Sequence, residues 1–185
     1  MLTYALLGFL RYAPMTGYDL KQFMDLSTSN FWHAKQSQIY TTLKKLEAAG
    51  QVRSEIEPQQ GRPDRRVYSI TPVGEQALTD WLREPLQEIE PRKETLLLKL
   101  FFAAPVGKDL LLGQLRAQRE LHQRMLDTYR HETRQVIDQF ASQMPEHQAD
   151  AHLWNATRRF GEMYEEMYLA WLGETMTMIK EKLDR

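Results

Sequence analysis

Two long stretches in the second half of the chain constrain its fold more than any other feature. Over 108–144, apolar side chains recur at mostly four- and seven-residue steps, and 148–183 repeats the pattern after Pro145. This spacing places apolar side chains along one face of a helix. The sequence therefore predicts two long amphipathic helices, with a short apolar helix over 95–104 before them. No apolar run approaches the roughly 20 residues of a membrane span.

The first 83 residues have a different texture, with short segments that end near glycine or proline. Helical spacing predicts a first helix that ends by Pro14, a second that Thr16 caps, and a third over 37–49 that ends at a left-handed Gly50. The residues expected on the buried faces of the second and third helices are Tyr18, Leu20, Phe23, Met24, Ile39, Leu43 and Leu46.

After Gly50 the apolar period changes from helical spacing to alternation. Residues 52–57 and 66–71 alternate as strands do, and the turn-forming stretch 58–64 separates them, which predicts a β-hairpin with a basic loop. Thr71 and Pro72 then form a helix start. The fourth helix is expected to bury Val73, Ala77, Leu78, Trp81 and Leu82.

The charges are unevenly distributed although the net charge is only -1. Residues 35–66 contain seven cations and four anions, whereas 86–185 contain 14 cations and 16 anions. Local clustering of cations matters more for nucleic-acid binding than the total does. The chain has no Cys, so disulfides, thiolate metal sites and cysteine nucleophiles are excluded, which fits a reducing, cytoplasmic location.

Three helices, a two-stranded wing and a fourth helix form the order of a winged helix-turn-helix, whose third helix enters the major groove. The predicted fold is mainly α with a small β-hairpin. It consists of a winged helix-turn-helix DNA-binding domain (1–83), a linker (84–93) and a long-helix dimerisation domain (94–185).

The first part closely resembles the PadR family of bacterial transcription regulators. The matching stretches are 6–10, 14–20, 38–40, 43–47, Gly50, 61–63, 67–68 and 71–74. The second part resembles, in helix layout, the larger PadR subgroup that includes AphA. Thr41 stands where the family usually has Pro, and Thr16 where His is frequent. The resemblance implies a cytoplasmic, homodimeric regulator, mostly a repressor, that binds a pseudo-palindromic double-stranded operator.

Candidate DNA contacts lie on the second and third helices and on the wing. Gln can bond adenine bidentately, and hydroxyl groups and lysines can reach phosphates. We expect the wing arginines to be poorly neutralised by the chain's own carboxylates, Asp64 excepted. The predicted DNA-binding residues are Tyr18, Gln36, Ser37, Gln38, Tyr40, Thr41, Lys44, Lys45, Arg62, Arg65 and Arg66. For Tyr18, packing in the core is the alternative.

The helical half offers too little surface for a private core, so we expect part of its apolar seam to meet a second copy. The predicted dimerisation residues are Leu111, Leu115, Leu121, Met125, Phe160, Tyr164, Met167, Trp171 and Ile179. Family relatives sense phenolics or drugs, which implies a small aromatic effector at Tyr168 and Trp171. Ordinary helix packing is the alternative for these two residues.

Catalytic and metal-binding patterns are missing from the sequence. The five His have no zinc-protease spacing, no Ser lies in a nucleophile elbow, and the stretch around Gly61 is not a phosphate loop. We therefore expect no enzyme activity and no cofactor. The alternative functions are a winged-helix protein-interaction module without specific DNA binding and, less favoured, an α-helical enzyme with a His or Glu site.

Overall fold

The computed structural model describes residues 1–28, 31–59, 61, 64–89, 93–143 and 147–183. The chain divides into two compact units, Met1–Glu90 and Pro91–Arg185. The elements of the first unit are α1 (Leu2–Leu10), β1 (Met15–Thr16), α2 (Gly17–Ser27), α3 (Gln36–Ala48), β2 (Val52–Glu57), β3 (Arg65–Ile70) and α4 (Pro72–Arg83). Those of the second are α5 (Thr95–Phe101), α6 (Lys108–Thr128), a π-helical turn (Tyr129–Thr133), α7 (Arg134–Gln143) and α8 (Gln148–Lys182).

The first unit has the predicted order of helices and hairpin. Its helices and sheet enclose one apolar core, and Trp32 packs against this core. Leu20 and Met24 from α2, together with Ile39, Leu43 and Leu46 from α3, are buried in it. Because α3 buries only this apolar row, its polar and basic side chains are left on the outer face.

The described residues form a sheet of three antiparallel strands in the order β1-β3-β2. The register of the wing runs from Val52 opposite Ile70 to Glu57 opposite Arg65. The sequence analysis missed β1, which pairs with Tyr68 and Val67 of β3. A two-residue strand is too short to show alternation, and Thr16 in it is also the N-cap of α2.

Two glycines shape the junctions around β2. Gly50 ends α3 with φ 68°, the left-handed conformation predicted for it. Gly74, in the first turn of α4, lies so close to the carbonyl of Gln51 that a side chain there would collide with the backbone. Thr71 closes the same junction, since its hydroxyl donates to the carbonyl oxygen of Gly50 at 2.7 Å.

Four apolar residues predicted to be buried in this unit are exposed. They are Tyr18, Phe23, Val73 and Leu82. The core-facing row of each helix is narrower than the apolar pattern indicates: on α2 it consists of Leu20 and Met24, one helical turn apart. Val73 lies about 140° around α4 from buried Leu78, and Leu82 falls in the last turn.

The second unit has a core of its own, which the sequence analysis did not expect. α6 and α7 both pack on α8. The buried residues of this core are Ala103, Leu111, Leu112, Leu115, Tyr168, Leu172, Met176 and Ile179. The predicted dimerisation role is therefore corrected for Leu111, Leu115 and Ile179, because their side chains are already enclosed by the same chain.

The long helix predicted over 108–144 is interrupted by the π-helical turn at Tyr129–Thr133. Arg158 of α8 donates from Nη1 to the carbonyl oxygen of Tyr129 at 3.1 Å. The ring of Tyr129 lies over Gly161, where a side chain would overlap it. The turn is therefore held from α8 by one buried guanidinium and one glycine. Predicted seam residue Met144 lies outside the described residues.

α8 buries a row that the sequence pattern predicts only at Leu172 and Ile179. Its members recur every seven residues: Ala151, Arg158, Glu165, Leu172 and Ile179. The predicted row of Leu153, Phe160 and Met167 lies on the opposite side of the helix and is exposed. α8 therefore has two apolar faces, one against its own chain and one open.

Candidate nucleic-acid interface

The outer face of α3 holds the predicted DNA-binding residues of this helix together. Gln36, Ser37, Gln38, Tyr40, Thr41, Lys44 and Lys45 are all exposed. Gln38 also fixes the helix start, since its Oε1 accepts from the backbone N–H of Lys35 at 2.9 Å. In the described part of the chain neither Lys44 nor Lys45 has a carboxylate within salt-bridge distance. Both ammonium groups are therefore available to an outside anion.

The aromatic side chains next to this face come from both helices of the helix-turn-helix. The ring of Tyr40 covers Gly17 at the start of α2. Tyr18 is 55% exposed, and its hydroxyl accepts from Nε2 of Gln22 at 3.0 Å. Core packing, the alternative considered for Tyr18, is therefore wrong. The phenol stands on the surface at the N-terminal turn of α2.

Arg65, the first residue of β3 at the loop end of the wing, is held by α2. Its Nη2 lies 3.2 Å from Oδ2 of Asp19. Asp19 is also the third residue of a capping box, in which Thr16 and Asp19 bond each other's backbone N–H. Burial opposes the ionisation of Asp19, but the hydrogen bonds from Thr16 and the charge of Arg65 outweigh it and lower the pKa of this carboxyl.

Arg66, the next residue, is held by α3. Its Nη2 lies 2.9 Å from Oε2 of Glu47, and its Nε donates to Oγ of Ser54 at 2.8 Å. Ser54 in turn donates to Oε1 of Glu47 at 2.5 Å, which closes a triangle. The bond from Ser54 and the charge of Arg66 lower the pKa of the Glu47 carboxyl against the effect of burial. Glu47 is therefore ionised at neutral pH.

The expectation that the chain's own carboxylates leave the wing arginines free is wrong for Arg65 and Arg66. Arg62 lies outside the described residues. Sequence reasoning missed Asp19, Glu47 and Ser54, because each meets its arginine only in the fold. Only Asp19 left a local signal, since Thr16 and Asp19 have the spacing of a capping box.

In the helical unit, part of the predicted dimerisation set stays open. Leu121, Met125, Phe160 and Met167 are exposed large apolar residues. Leu153 and Met163 extend the open face of α8. Tyr164 and Trp171 are half-buried against the unit's own core. The exposed row of α8, here called the outer stripe, consists of Leu153, Phe160, Met163 and Met167.

The two predicted effector residues pack in the helical core. Tyr168 is 5% exposed, with its ring stacked on His122 at 3.8 Å and edge-on to Trp171 at 5.2 Å. A cavity of about 240 Å³ lies elsewhere, lined by residues of α5, α6 and the connection between them. Its lining includes Leu96, Leu100, Val106 and Leu115, with Lys99 and Gln114 as polar members. The enclosed ring of Tyr168 agrees with ordinary helix packing, the alternative considered for this residue.

Buried polar side chains join α8 to the other helices. Nδ1 of His122 lies 2.5 Å from Oε2 of Glu165. The carboxylate oxygens of Glu162 lie 2.9–3.2 Å from guanidinium nitrogens of Arg130, Arg158 and Arg159. Burial opposes ionisation of Glu162, but these three guanidinium groups lower its pKa to about 2. The adjacent glutamates at 165 and 166 point to different partners, as expected from their spacing.

The described residues contain neither a metal-binding cluster nor a membrane-spanning helix. Over 1–28, 31–59, 61, 64–89, 93–143 and 147–183 no three His, Asp or Glu side chains are grouped closely enough to hold a metal ion. Within the same ranges no helix combines the length and apolar character needed to cross a lipid bilayer.

Comparison with known proteins matches both units to families. Residues 6–80 match the transcriptional regulator PadR-like family, and residues 92–180 match the virulence activator alpha C-term family. The chain is 32% identical over 190 residues to a protein of Mycobacterium tuberculosis named Probable transcriptional regulator Rv1176c. That alignment covers 98% of each chain.

Solved structures of Bacillus subtilis PadR have the same fold. The complex with operator DNA has a TM-score of 0.80 and 28% identity, and the match covers 96% of this chain and 98% of that one. The complex with p-coumaric acid has a TM-score of 0.73 and 26% identity, covering 97% and 98%. The chain therefore shares its fold with a protein whose complex with operator DNA has been solved.

Proposed function

Because the chain belongs to the PadR-like family of transcriptional regulators, we propose that it binds a specific double-stranded operator as a homodimer and represses transcription. The exposed face of α3 carries this proposal. It combines amide and hydroxyl groups suited to base edges with two cations that have no carboxylate partner in the described residues.

The roles on α3 follow from position and chemistry. We assign Gln36, Ser37 and Gln38, in the first turn, to base edges, because the N-terminal residues of a recognition helix reach deepest into the major groove. Tyr40, Thr41, Lys44 and Lys45 bind phosphates and fix the orientation of the helix. Tyr18 adds a hydroxyl donor from α2. The wing cations, Arg62, Arg65 and Arg66, contact the flanking backbone.

The outer stripe supports a dimer through the helical unit. A row of large apolar side chains open to solvent along a long helix is typical of an interface. Together with Leu121 and Met125 of α6 it joins two copies, and half-sites are then separated by about one helical turn of DNA or a multiple of it. In this proposal the spacing of half-sites depends on how the helices pair.

A small aromatic acid is the proposed effector, because B. subtilis PadR binds p-coumaric acid. An effector releases DNA only if it binds the operator-incompetent arrangement more tightly than the competent one. The cavity between α5 and α6 is apolar with one lysine in its lining, which suits an aromatic carboxylate. Trp171, which is half-exposed, is the second candidate position for the effector.

Binding to DNA over a range of salt concentrations tests the proposal. A fluorescent fragment of the protein's own promoter and a scrambled fragment of equal length are titrated with the purified chain. Preference for the promoter, with steep salt dependence, supports an operator-binding regulator. Equal, salt-independent retention of both fragments would instead favour a protein-interaction module. Addition of p-coumaric acid to the promoter complex tests the effector.

A further inference from the structure

Arg65 and Arg66, at the loop end of the wing, are each tied to a different helix of the helix-turn-helix. Asp19 of α2 holds Arg65, and Glu47 of α3 holds Arg66. We propose that Glu47 is a positioning residue for specificity: it withholds Arg66 from the phosphates of random DNA and presents the wing in a fixed position relative to α3. This inference rests on the proposed operator-binding function.

The geometry around Glu47 is that of a fixed support. Both carboxylate oxygens are used, Oε1 by Ser54 of β2 and Oε2 by Arg66 of β3. The guanidinium of Arg66 also lies over the ring of Tyr68, 5.6 Å from its centroid. Arg66 therefore has anionic, hydroxyl and aromatic partners in the free protein. A phosphate must replace one of these partners, whereas Lys44 and Lys45 have no carboxylate to give up among the described residues.

An ion pair between a wing arginine and a carboxylate affects binding to random DNA and binding to an operator differently. Affinity for random DNA depends mainly on the number of cations that can neutralise phosphates. An arginine already paired with a carboxylate adds little to that number. On an operator, where α3 is seated by its base contacts, the wing arrives with Arg66 already oriented, and less side-chain freedom is lost on binding. Glu47 thereby widens the difference in affinity between the operator and random DNA.

Glu47 allows a cleaner test than Asp19 does. Asp19 also caps α2 through Thr16, so its substitution weakens the fold as well as the ion pair. Glu47→Gln keeps an oxygen for Ser54 and removes only the charge facing Arg66. Glu55→Gln is a matched control, because it also removes one negative charge, from strand β2 of the wing. The side chain of Glu55 is 76% exposed and lies 4.0 Å from Arg53.

The test measures affinity for a random-sequence duplex and for the promoter fragment over a range of salt concentrations. Glu47→Gln is expected to bind the random duplex severalfold more tightly. Its salt slope should be steeper by about 0.9 for each Arg66 released. The ratio of promoter to random affinity falls, whereas Glu55→Gln keeps the wild-type ratio. Adding Arg66→Gln to Glu47→Gln should remove the gain on random DNA. Thermal unfolding of each variant is measured alongside.

The outcomes separate this inference from the function on which it rests. If the wild type prefers its promoter and Glu47→Gln behaves like Glu55→Gln, the positioning role is wrong and operator binding stands. Affinity that falls on both duplexes together with the melting temperature would show that Glu47 is only structural. If the wild type binds neither duplex, both proposals fail.

Discussion

The ring of Tyr40 lies against the backbone of Gly17, so that a methyl group on Gly17 would come within 2.5 Å of Cε1 and 2.9 Å of Cζ. This contact joins the start of α2 to the middle of the exposed face of α3. Tyr40 is 40% exposed and can swing outward, whereas the backbone of α2 cannot retreat. The position of a proposed phosphate contact is therefore set by the absence of a side chain at residue 17.

Gly17→Ala is expected to weaken DNA binding more than it weakens the fold. The new methyl group displaces the Tyr40 ring toward solvent, at a cost in stability of about 1 kcal/mol. Gly8→Ala is the control, since nothing lies within 4 Å of its added Cβ, and it should stabilise α1 by roughly 0.5–1 kcal/mol. Promoter binding and urea unfolding are measured for both. Unchanged promoter affinity in Gly17→Ala would remove Tyr40 from the interface.

Lys44→Gln and Lys45→Gln are expected to weaken binding to promoter and random duplexes equally. Each removes one cation that has no carboxylate partner in the described residues, so the salt slope should become shallower by about 0.9 for each phosphate that is no longer neutralised. Lys180 is an exposed lysine of the helical unit, so Lys180→Gln removes the same charge outside the proposed DNA contacts and should leave the slope unchanged. Fluorescence anisotropy over salt measures all three. Equal salt slopes in all three variants would contradict the assignment of α3 to the DNA interface.

Arg158→Met is expected to destabilise the helical unit by about 1–3 kcal/mol, because it removes buried hydrogen bonds and leaves the Tyr129 carbonyl without this donor. Arg158 is 9% exposed and also donates to Asn155 and Glu162. Arg159→Met removes the same charge at a half-exposed position, where ion pairs contribute less than about 1 kcal/mol. Urea unfolding compares the two, and equal losses would mean that the Tyr129 bond is unimportant.

Glu162→Gln is expected to change the pH dependence of stability. The folded state lowers the pKa of Glu162 from 4.5 to about 2. The carboxylate therefore contributes stability above pH 4.5, at most about 3 kcal/mol, and this contribution is lost as the pH falls toward 2. The free energy of unfolding of wild type and variant should differ most at neutral pH and converge in acid. If the difference in unfolding free energy stays constant down to pH 2, the three arginines do not lower the pKa of Glu162.

Met167→Glu is expected to convert the proposed dimer to monomers without unfolding the chain. Met167 is 54% exposed in the outer stripe, so a charge there is tolerated in one copy but is buried unpaired between two. Thr177→Glu, about 80° around α8 from Met167, is the control. Sedimentation velocity measures the mass of both. Dimers that persist in Met167→Glu would place the interface on another face.

Much of the first unit could be predicted because single elements carry their own signals. The apolar row of α3, the left-handed Gly50 and the alternating strands all appeared where the sequence places them. The face that α8 buries could not be predicted in the same way. Its apolar residues occupy two opposite rows, and periodicity alone does not indicate which row meets the chain's own α6. Arg158 and Glu165 in the buried row further weaken the signal, because charged residues are rarely buried.

For the candidate interface, residue type predicted the exposed side chains of α3 but not the state of the wing. Arg65 and Asp19 are 46 residues apart in sequence, and Arg66 and Glu47 are 19 apart. Counting charges along 35–66 treats Arg65, Arg66 and Glu47 as independent and leaves out Asp19, whereas in the fold the four charges cancel in pairs. Pairing over such separations depends on the way the hairpin returns to the helices.

The π-helical turn has a consequence for comparing sequences across this family. An i→i+5 turn contains one residue more than the α-helical turn that it replaces. Deleting one residue within Tyr129–Thr133 would therefore restore a continuous α-helix and leave the orientation of everything beyond it relative to α6 nearly unchanged. Relatives that lack this residue should also have a larger side chain at the position of Gly161. A single gap in an alignment here is thus the loss of a helical bulge rather than a change of loop length or of helix phase.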